Sequence, residues 1–180
     1  MLQVFFLIFM ALLISAAVAG VSAAPWLPTK PSQRRKLLEQ LPLKGNEKIY
    51  DLGCGDGSLL FAIAKKHPGI RAIGADISLL PLAIGWIRRF VGSHKGSPYA
   101  NVRLRFANLF TVDVHDADVV FIFLLSKAYP RLKTKFAKEL RDDARVVVEA
   151  WPLPDMEPAS TIRAEGLLPV YIYSGKQFRM

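Results

Sequence analysis

Between an apolar run ending at Leu52 and an amphipathic stretch beginning at Ser58, the chain reads Tyr50-Asp51-Leu52-Gly53-Cys54-Gly55-Asp56-Gly57-Ser58, with glycines at three alternate positions. No other feature restricts the fold as strongly. Glycine weakens regular structure, so this density at a strand–helix junction points to main chain lying close against a ligand. The free N–H groups of the following helix then face an anionic part of it. A plain tight turn would not need all three. A strand entering a glycine turn and leaving as a helix is the nucleotide-binding crossing of a doubly wound sheet. The dinucleotide fingerprint would require a glycine at position 58, which is serine.

The rest of the chain alternates in the same manner. Ser32 is a candidate N-cap for a helix to about Leu41, with Leu37, Leu38 and Leu41 as its apolar stripe. Strands are expected at 48–52, 70–75, 102–107, 119–125 and 145–150, and helices at 58–66, 78–91 and 130–140. Residues 161–164 and 170–173 are expected to form a terminal antiparallel pair. Val119 to Leu125 is almost wholly apolar, as a buried parallel strand should be. Strands alternating with helices give an α/β, doubly wound, mostly parallel sheet covered on both faces.

Charge divides the chain in two. Leu2 to Ala24 carries none, whereas the remainder holds 24 Lys+Arg against 15 Asp+Glu, a net +9. The apolar segment is about 23 residues, or roughly 34 Å as a helix, enough for a hydrocarbon core. Ser22-Ala23-Ala24 resembles the end of a cleavable signal peptide, but no basic residue precedes the segment. Lys30, Arg34, Arg35 and Lys36 follow it, which favours a retained single-pass anchor with the domain on the cytoplasmic side. The expected organisation is a transmembrane anchor at 1–24, a linker at 25–31 and one domain at 32–180. The basic balance suits an anionic partner, lipid headgroups or nucleic acid. The lone cysteine, Cys54, excludes an internal disulfide, and it forms no metal-ligand cluster with the scattered His67, His94 and His115.

The order acid-x-Gly-x-Gly-x-Gly resembles the first motif of class I S-adenosylmethionine-dependent methyltransferases. Asp76 ends the second strand about 20 residues after the glycines, where a carboxylate can take two ribose hydroxyls. That resemblance implies a cofactor site of Asp51, Gly53, Cys54, Gly55, Gly57, Asp76, Ile77, Asn108 and Leu109, with Asp51 against the methionine ammonium and Asn108 at the adenine. The stretches Trp26-Leu27-Pro28-Thr29, Ala107-Asn108-Leu109-Phe110, Asp142-Asp143-Ala144-Arg145-Val146-Val147 and Trp151-Pro152-Leu153-Pro154 are similar to one branch of this superfamily. The branch contains the lysine methyltransferases of the ATP synthase c-subunit and the adenine nucleotide translocase, with small prokaryotic relatives. Asn108 stands where an acid is usual, and Trp151 where relatives often carry Arg-Phe.

The resemblance implies a Rossmann-like methyltransferase fold and transfer to a lysine of a protein, with one embedded in the same membrane as a candidate. No catalytic base is nominated. Ser126, Lys127 and Tyr129 follow the fourth strand, and Glu149 and Trp151 end the fifth, so all are candidates to line an acceptor channel. Asp116 and Asp118, at the other end of the fourth strand, read as surface acids. Two other functions stay open: methylation of a lipid, quinone or other small molecule, and a non-enzymatic cofactor-binding membrane adaptor. Nucleic acid is disfavoured, because no Asn-Pro-Pro-Tyr-like stretch follows the fourth strand to hold a flipped base.

Overall fold

The computed structural model describes residues 1–22, 29–94 and 97–179. Seven strands form one sheet: β1 (Lys48–Leu52), β2 (Arg71–Asp76), β3 (Val102–Phe106), β4 (Val119–Ile122), β5 (Arg145–Glu149), β6 (Ser160–Ile162) and β7 (Val170–Ser174). Their order is β3-β2-β1-β4-β5-β7-β6. The first five run parallel, and β7 enters antiparallel between β5 and β6. The helices are α1 (Leu2–Ser22), α2 (Pro31–Gln40), α3 (Ser58–Lys66), α4 (Leu79–Gly92) and α5 (Tyr129–Glu139).

Side chains alternate across the strands with period two, so each strand supplies both faces of the sheet. Ile49, Ala72, Val119, Phe121 and Val147 pack with Leu37, Leu60, Ile63 and Leu82 from α2, α3 and α4. Tyr50, Leu52, Val120, Ile122, Val146 and Val148 pack with Leu132 and Phe136 of α5 on the other face. Both faces are covered, as the apolar strands require.

The order reverses at β1, which has β2 on one side and β4 on the other. A crevice at the carboxyl ends of the strands is the binding place of such sheets. At the opposite edge, Asp116 accepts from the Tyr50 hydroxyl at 2.9 Å and pairs with Lys48. Asp118 accepts from the Lys48 N–H at 2.7 Å and pairs with Arg141. The two expected surface acids therefore tie β1 to the entry of β4, away from the crevice.

Two local expectations are corrected. Helix α2 starts at Pro31, so Ser32 lies inside it, and Lys30 at the N-cap position makes no side-chain cap. Proline at the first helical position has its φ preset and no N–H to satisfy, so the cap is dispensable. The transmembrane helix is not supported either: among the described residues, no helix is long and apolar enough to cross a membrane. The apolar N-terminal segment folds as α1 and lies along α4, where Ser15 Oγ accepts from the Leu79 N–H at 3.4 Å. Its side chains at 8, 11, 12, 16 and 18–22 lie outside the described residues, as do residues 23–28 with the expected cleavage-like sequence and most of the linker.

Candidate active site

The glycine loop is built by β2. Gly53 and Cys54 both donate to the Ala75 carbonyl, at 2.8 and 3.2 Å. Gly55 donates to Asp76 Oδ2 at 2.8 Å. Gly53, Gly55 and Gly57 have φ of 90°, 54° and 69°, conformations that side chains strain against. The sequence suggests that this space serves a ligand; at two of the three positions the protein itself occupies it. A Cβ on Gly53 would stand 2.8 Å from Leu124 Cδ2, and one on Gly57 2.8 Å from Leu104 Cδ2. Gly57 is also the N-cap of α3, whose first turn receives no side-chain cap from it.

Asp76 has an organising part that its place in the sequence did not reveal. Besides holding Gly55, its Oδ1 accepts from the Ser78 N–H at 2.7 Å, fixing the start of α4. Each oxygen keeps a second lone pair, so a ribose can still be received. Ile77 beside it is half-buried. Asn108 sits next to Asp76, because Ala107 donates to the Asp76 carbonyl at 3.0 Å. Its Oδ1 accepts from the Phe110 N–H at 3.0 Å and keeps a second lone pair, so the amide can still offer an adenine a donor and an acceptor. Two expected ligands belong to the core. Leu109 is buried in the cluster around α5, and the Cys54 thiol is buried on the α3 side, where burial pushes its pKa up.

The crevice is acidic. Asp51, 7% exposed, has its pKa pushed up to about 8, first by burial and then by the charges of Asp76, Glu149 and Asp56. Burial likewise lifts Glu149 to about 7, against hydrogen-bonding influences of Thr29 and Gln33. Arg88 pairs with Asp56, but among the described residues no cation pairs with the buried Asp51 or Glu149. A sulfonium and an α-ammonium supply two, and Asp76 suits the ribose on the far side of the sulfur, so the residues fit S-adenosylmethionine.

Beyond β4 and β5 lies the acceptor side. Tyr129 does not line it: fully buried, its hydroxyl shares its one hydrogen between the carbonyls of Leu124 and Trp151, at 3.2 and 3.1 Å, tying the two loops together. Ser126 and Lys127 are exposed at the rim. Phe123 and Trp151 stack with ring centroids 6.3 Å apart and planes at 22°.

Three contributors were missed in the sequence. Gly74 lets β2 pass Cys54, whose Sγ would lie 2.6 Å from a Cβ there. Gly85 lets α4 rest on the loop, since its Cβ would meet the Asp56 carbonyl at 2.7 Å. Arg88, one turn on, binds Asp56. A glycine in an apolar strand or helix was the available signal for the first two.

Comparison with known proteins agrees with this geometry. Residues 51–160 match the family model described as the ANTKMT methyltransferase domain. A protein-lysine N-methyltransferase of Saccharolobus islandicus (strain REY15A) is 30% identical over 145 residues, 81% of this chain and 88% of that protein. The ATP synthase c-subunit lysine N-methyltransferase of Homo sapiens is 28% identical over 86% of this chain, which spans 63% of that protein. Among solved structures, an RNA methyltransferase of Salinibacter ruber in complex with S-adenosyl-L-homocysteine superposes with a TM-score of 0.73. It shares 26% identity, over 82% of this chain and 93% of its own. From the crevice and these likenesses together, the chain belongs to the ANTKMT methyltransferase-domain family and is an S-adenosylmethionine-dependent methyltransferase.

Proposed function

We propose that this methyltransferase modifies a lysine side chain of a protein, working at the cytoplasmic surface of a membrane. The observation that carries the acceptor class is the likeness to a protein-lysine N-methyltransferase over most of both chains. The site supports it. A lysine starts from a pKa of about 10.4, so presenting it neutral at pH 7 costs about 4–5 kcal/mol. A crevice that excludes water and receives a cationic cofactor lowers that cost. The bound cofactor supplies an electrophilic methyl group on a sulfonium. Asp51, Asp76 and the glycine loop orient it, and the stacked rings of Phe123 and Trp151 border the path of an entering alkyl chain. In-line approach then depends on positioning.

The location rests on surface chemistry. Phe5, Phe6 and Phe9 of α1 and Ile87, Phe90 and Val91 of α4 are exposed, an apolar surface of the kind that seeks a partner. The chain carries a net +9, which favours an anionic leaflet. A substrate held in the same membrane would meet the site at raised effective concentration.

The test is incubation of the purified chain with methyl-labelled S-adenosylmethionine and a membrane extract. Label on lysine in digested protein is the expected result. Label in the organic phase would select a lipid or quinone acceptor, and label in RNA the acceptor class of the Salinibacter enzyme. Cofactor binding with no transfer to any fraction would leave only an adaptor.

A further inference from the structure

We propose that the free carboxylate oxygen of Glu149, set beside the Phe123–Trp151 ring pair, receives the ammonium of the incoming lysine and takes its proton. This rests on the lysine reading above. Glu149 ends β5 at the carboxyl edge of the sheet and is only 5% exposed. Its Oε2 has one long contact, from Thr29 Oγ1 at 3.4 Å. Its Oε1 is buried with no hydrogen-bond partner among the described residues. Gln33 gives one amide N–H and its oxygen to the Leu168 main chain, at 2.8 and 3.0 Å, and its remaining N–H lies near Glu149 without meeting hydrogen-bond geometry at Oε1. An unmet buried carboxylate oxygen is costly, and an arriving ammonium would answer it.

Register places this oxygen next to the cofactor crevice. Leu52 pairs with Ile122, and Ile122 with Val148, so the next residues along are Gly53, Phe123 and Glu149. Asp51 and Val147, two residues before Gly53 and Glu149, lie on the α3 face of the sheet, and the charge of Glu149 is felt at Asp51. The backbone beyond is bent out of its usual range. Ala150 has φ of 77°, and the Trp151 N–H closes a three-residue turn onto the Glu149 carbonyl at 3.1 Å. A γ-turn of this hand is rare and strained. Such strain persists where surrounding structure enforces it, commonly at active sites. Here it sets a carboxylate and an indole on either side of one residue, with a second ring stacked on the indole. Aromatic faces and a carboxylate together recognise an alkylammonium. Burial brings Glu149 close to neutrality, the range suited to a general base.

The step balances. The proton passes from lysine Nζ to Glu149 Oε1, and the freed nitrogen pair forms the N–C bond to the methyl group. The C–S bond breaks with its electron pair remaining on sulfur. Glu149 afterwards releases its proton to solvent.

Glu149→Gln, nearly isosteric, tests this in the full chain. Turnover on the labelled lysine substrate at saturating cofactor is expected to fall about 100-fold. Independently of turnover, n-butylammonium is titrated into the S-adenosylhomocysteine complex while the indole N–H resonance of Trp151 is followed. The apparent Kd is expected to weaken at least tenfold in Glu149→Gln, and also in Trp151→Ala as read from other amides of the crevice. Glu149→Gln turning over within threefold of wild type, or binding n-butylammonium equally well, overturns the proposal. Wild type labelling only RNA or lipid overturns the lysine reading itself, and the location of the label separates the two failures.

Discussion

Arg88 on α4 grips Asp56 of the glycine loop twice, donating to its carboxylate at 2.9 Å and to its main-chain carbonyl at 3.3 Å. The grip joins a helix on the sheet's flank to the glycine loop proposed to carry the cofactor. Arg88→Ala should cost only about 1 kcal/mol of stability, since the guanidinium is one-third exposed. Cofactor affinity should fall about tenfold, equivalent to about 1.4 kcal/mol. Calorimetry beside a thermal melt checks both. Affinity unchanged in a folded variant would show that the loop is held without α4.

Asp76→Asn separates architecture from recognition. An amide oxygen can keep the bond from Gly55 or from Ser78, not both, and it offers a ribose one acceptor instead of two. Stability should drop by about 1 kcal/mol and cofactor affinity on the order of 10–100-fold. A melt shifted far more than the affinity would make Asp76 chiefly a structural residue.

The crevice should also respond to pH. Asp51 is held near 8 by burial and by the facing carboxyls Asp76, Glu149 and Asp56, well above its unfolded value of about 4. Between these values the folded chain binds more protons than the unfolded one, so stability falls as pH rises from about 4 to 8. Asp51→Asn should therefore melt higher than wild type at pH 8, with the gap closing by pH 4. A cationic cofactor favours the ionised acid, so its binding near pH 7 should release a proton. Calorimetry in buffers of different ionisation enthalpy measures that number, and a value of zero contradicts the scheme.

Two glycines share φ of 69° but differ in surroundings. A Cβ on Gly57 meets Leu104 and Phe61, whereas one on Gly166 meets nothing within 4 Å. Gly166→Ala should cost only the backbone strain, about 1–2 kcal/mol. Gly57→Ala should cost about 1–3 kcal/mol more from overpacking. Equal losses in chemical denaturation would mean that Leu104 gives way freely.

Seating on a membrane is checked by flotation with vesicles. Binding to anionic vesicles should exceed binding to neutral ones. Phe90→Ser together with Val91→Ser on α4 should reduce it severalfold without moving the melt, since both side chains are exposed. Equal flotation of the variant would leave α4 out of the contact.

Much of this was legible beforehand because it depends on local pattern. Apolar runs of four to six residues marked the parallel strands, and the spacing from Gly53 to Asp76 anticipated that the glycine loop and that acid would meet. What escaped depends on distant partners. Cys54, Leu109 and Tyr129 lie near the crevice in sequence, yet their side chains turn into the core, and only the packed sheet decides that. Nothing at Ser32 distinguished a cap from a first-turn residue once Pro31 could start the helix. At Ala150, alanine gave no hint of a left-handed backbone, so the turn that pairs Glu149 with Trp151 was invisible. The terminal strands were expected as a pair, but the insertion of β7 beside β5 rests on contacts some 25 residues apart.

That insertion has a consequence during synthesis. As the chain leaves the ribosome, β6 emerges before β7, yet β7 is the strand through which it joins the sheet. Until Val170–Ser174 is outside the exit tunnel, β5 therefore presents an unpaired edge of main-chain N–H and C=O groups, and a nascent chain stalled in that interval would be a target for chaperones.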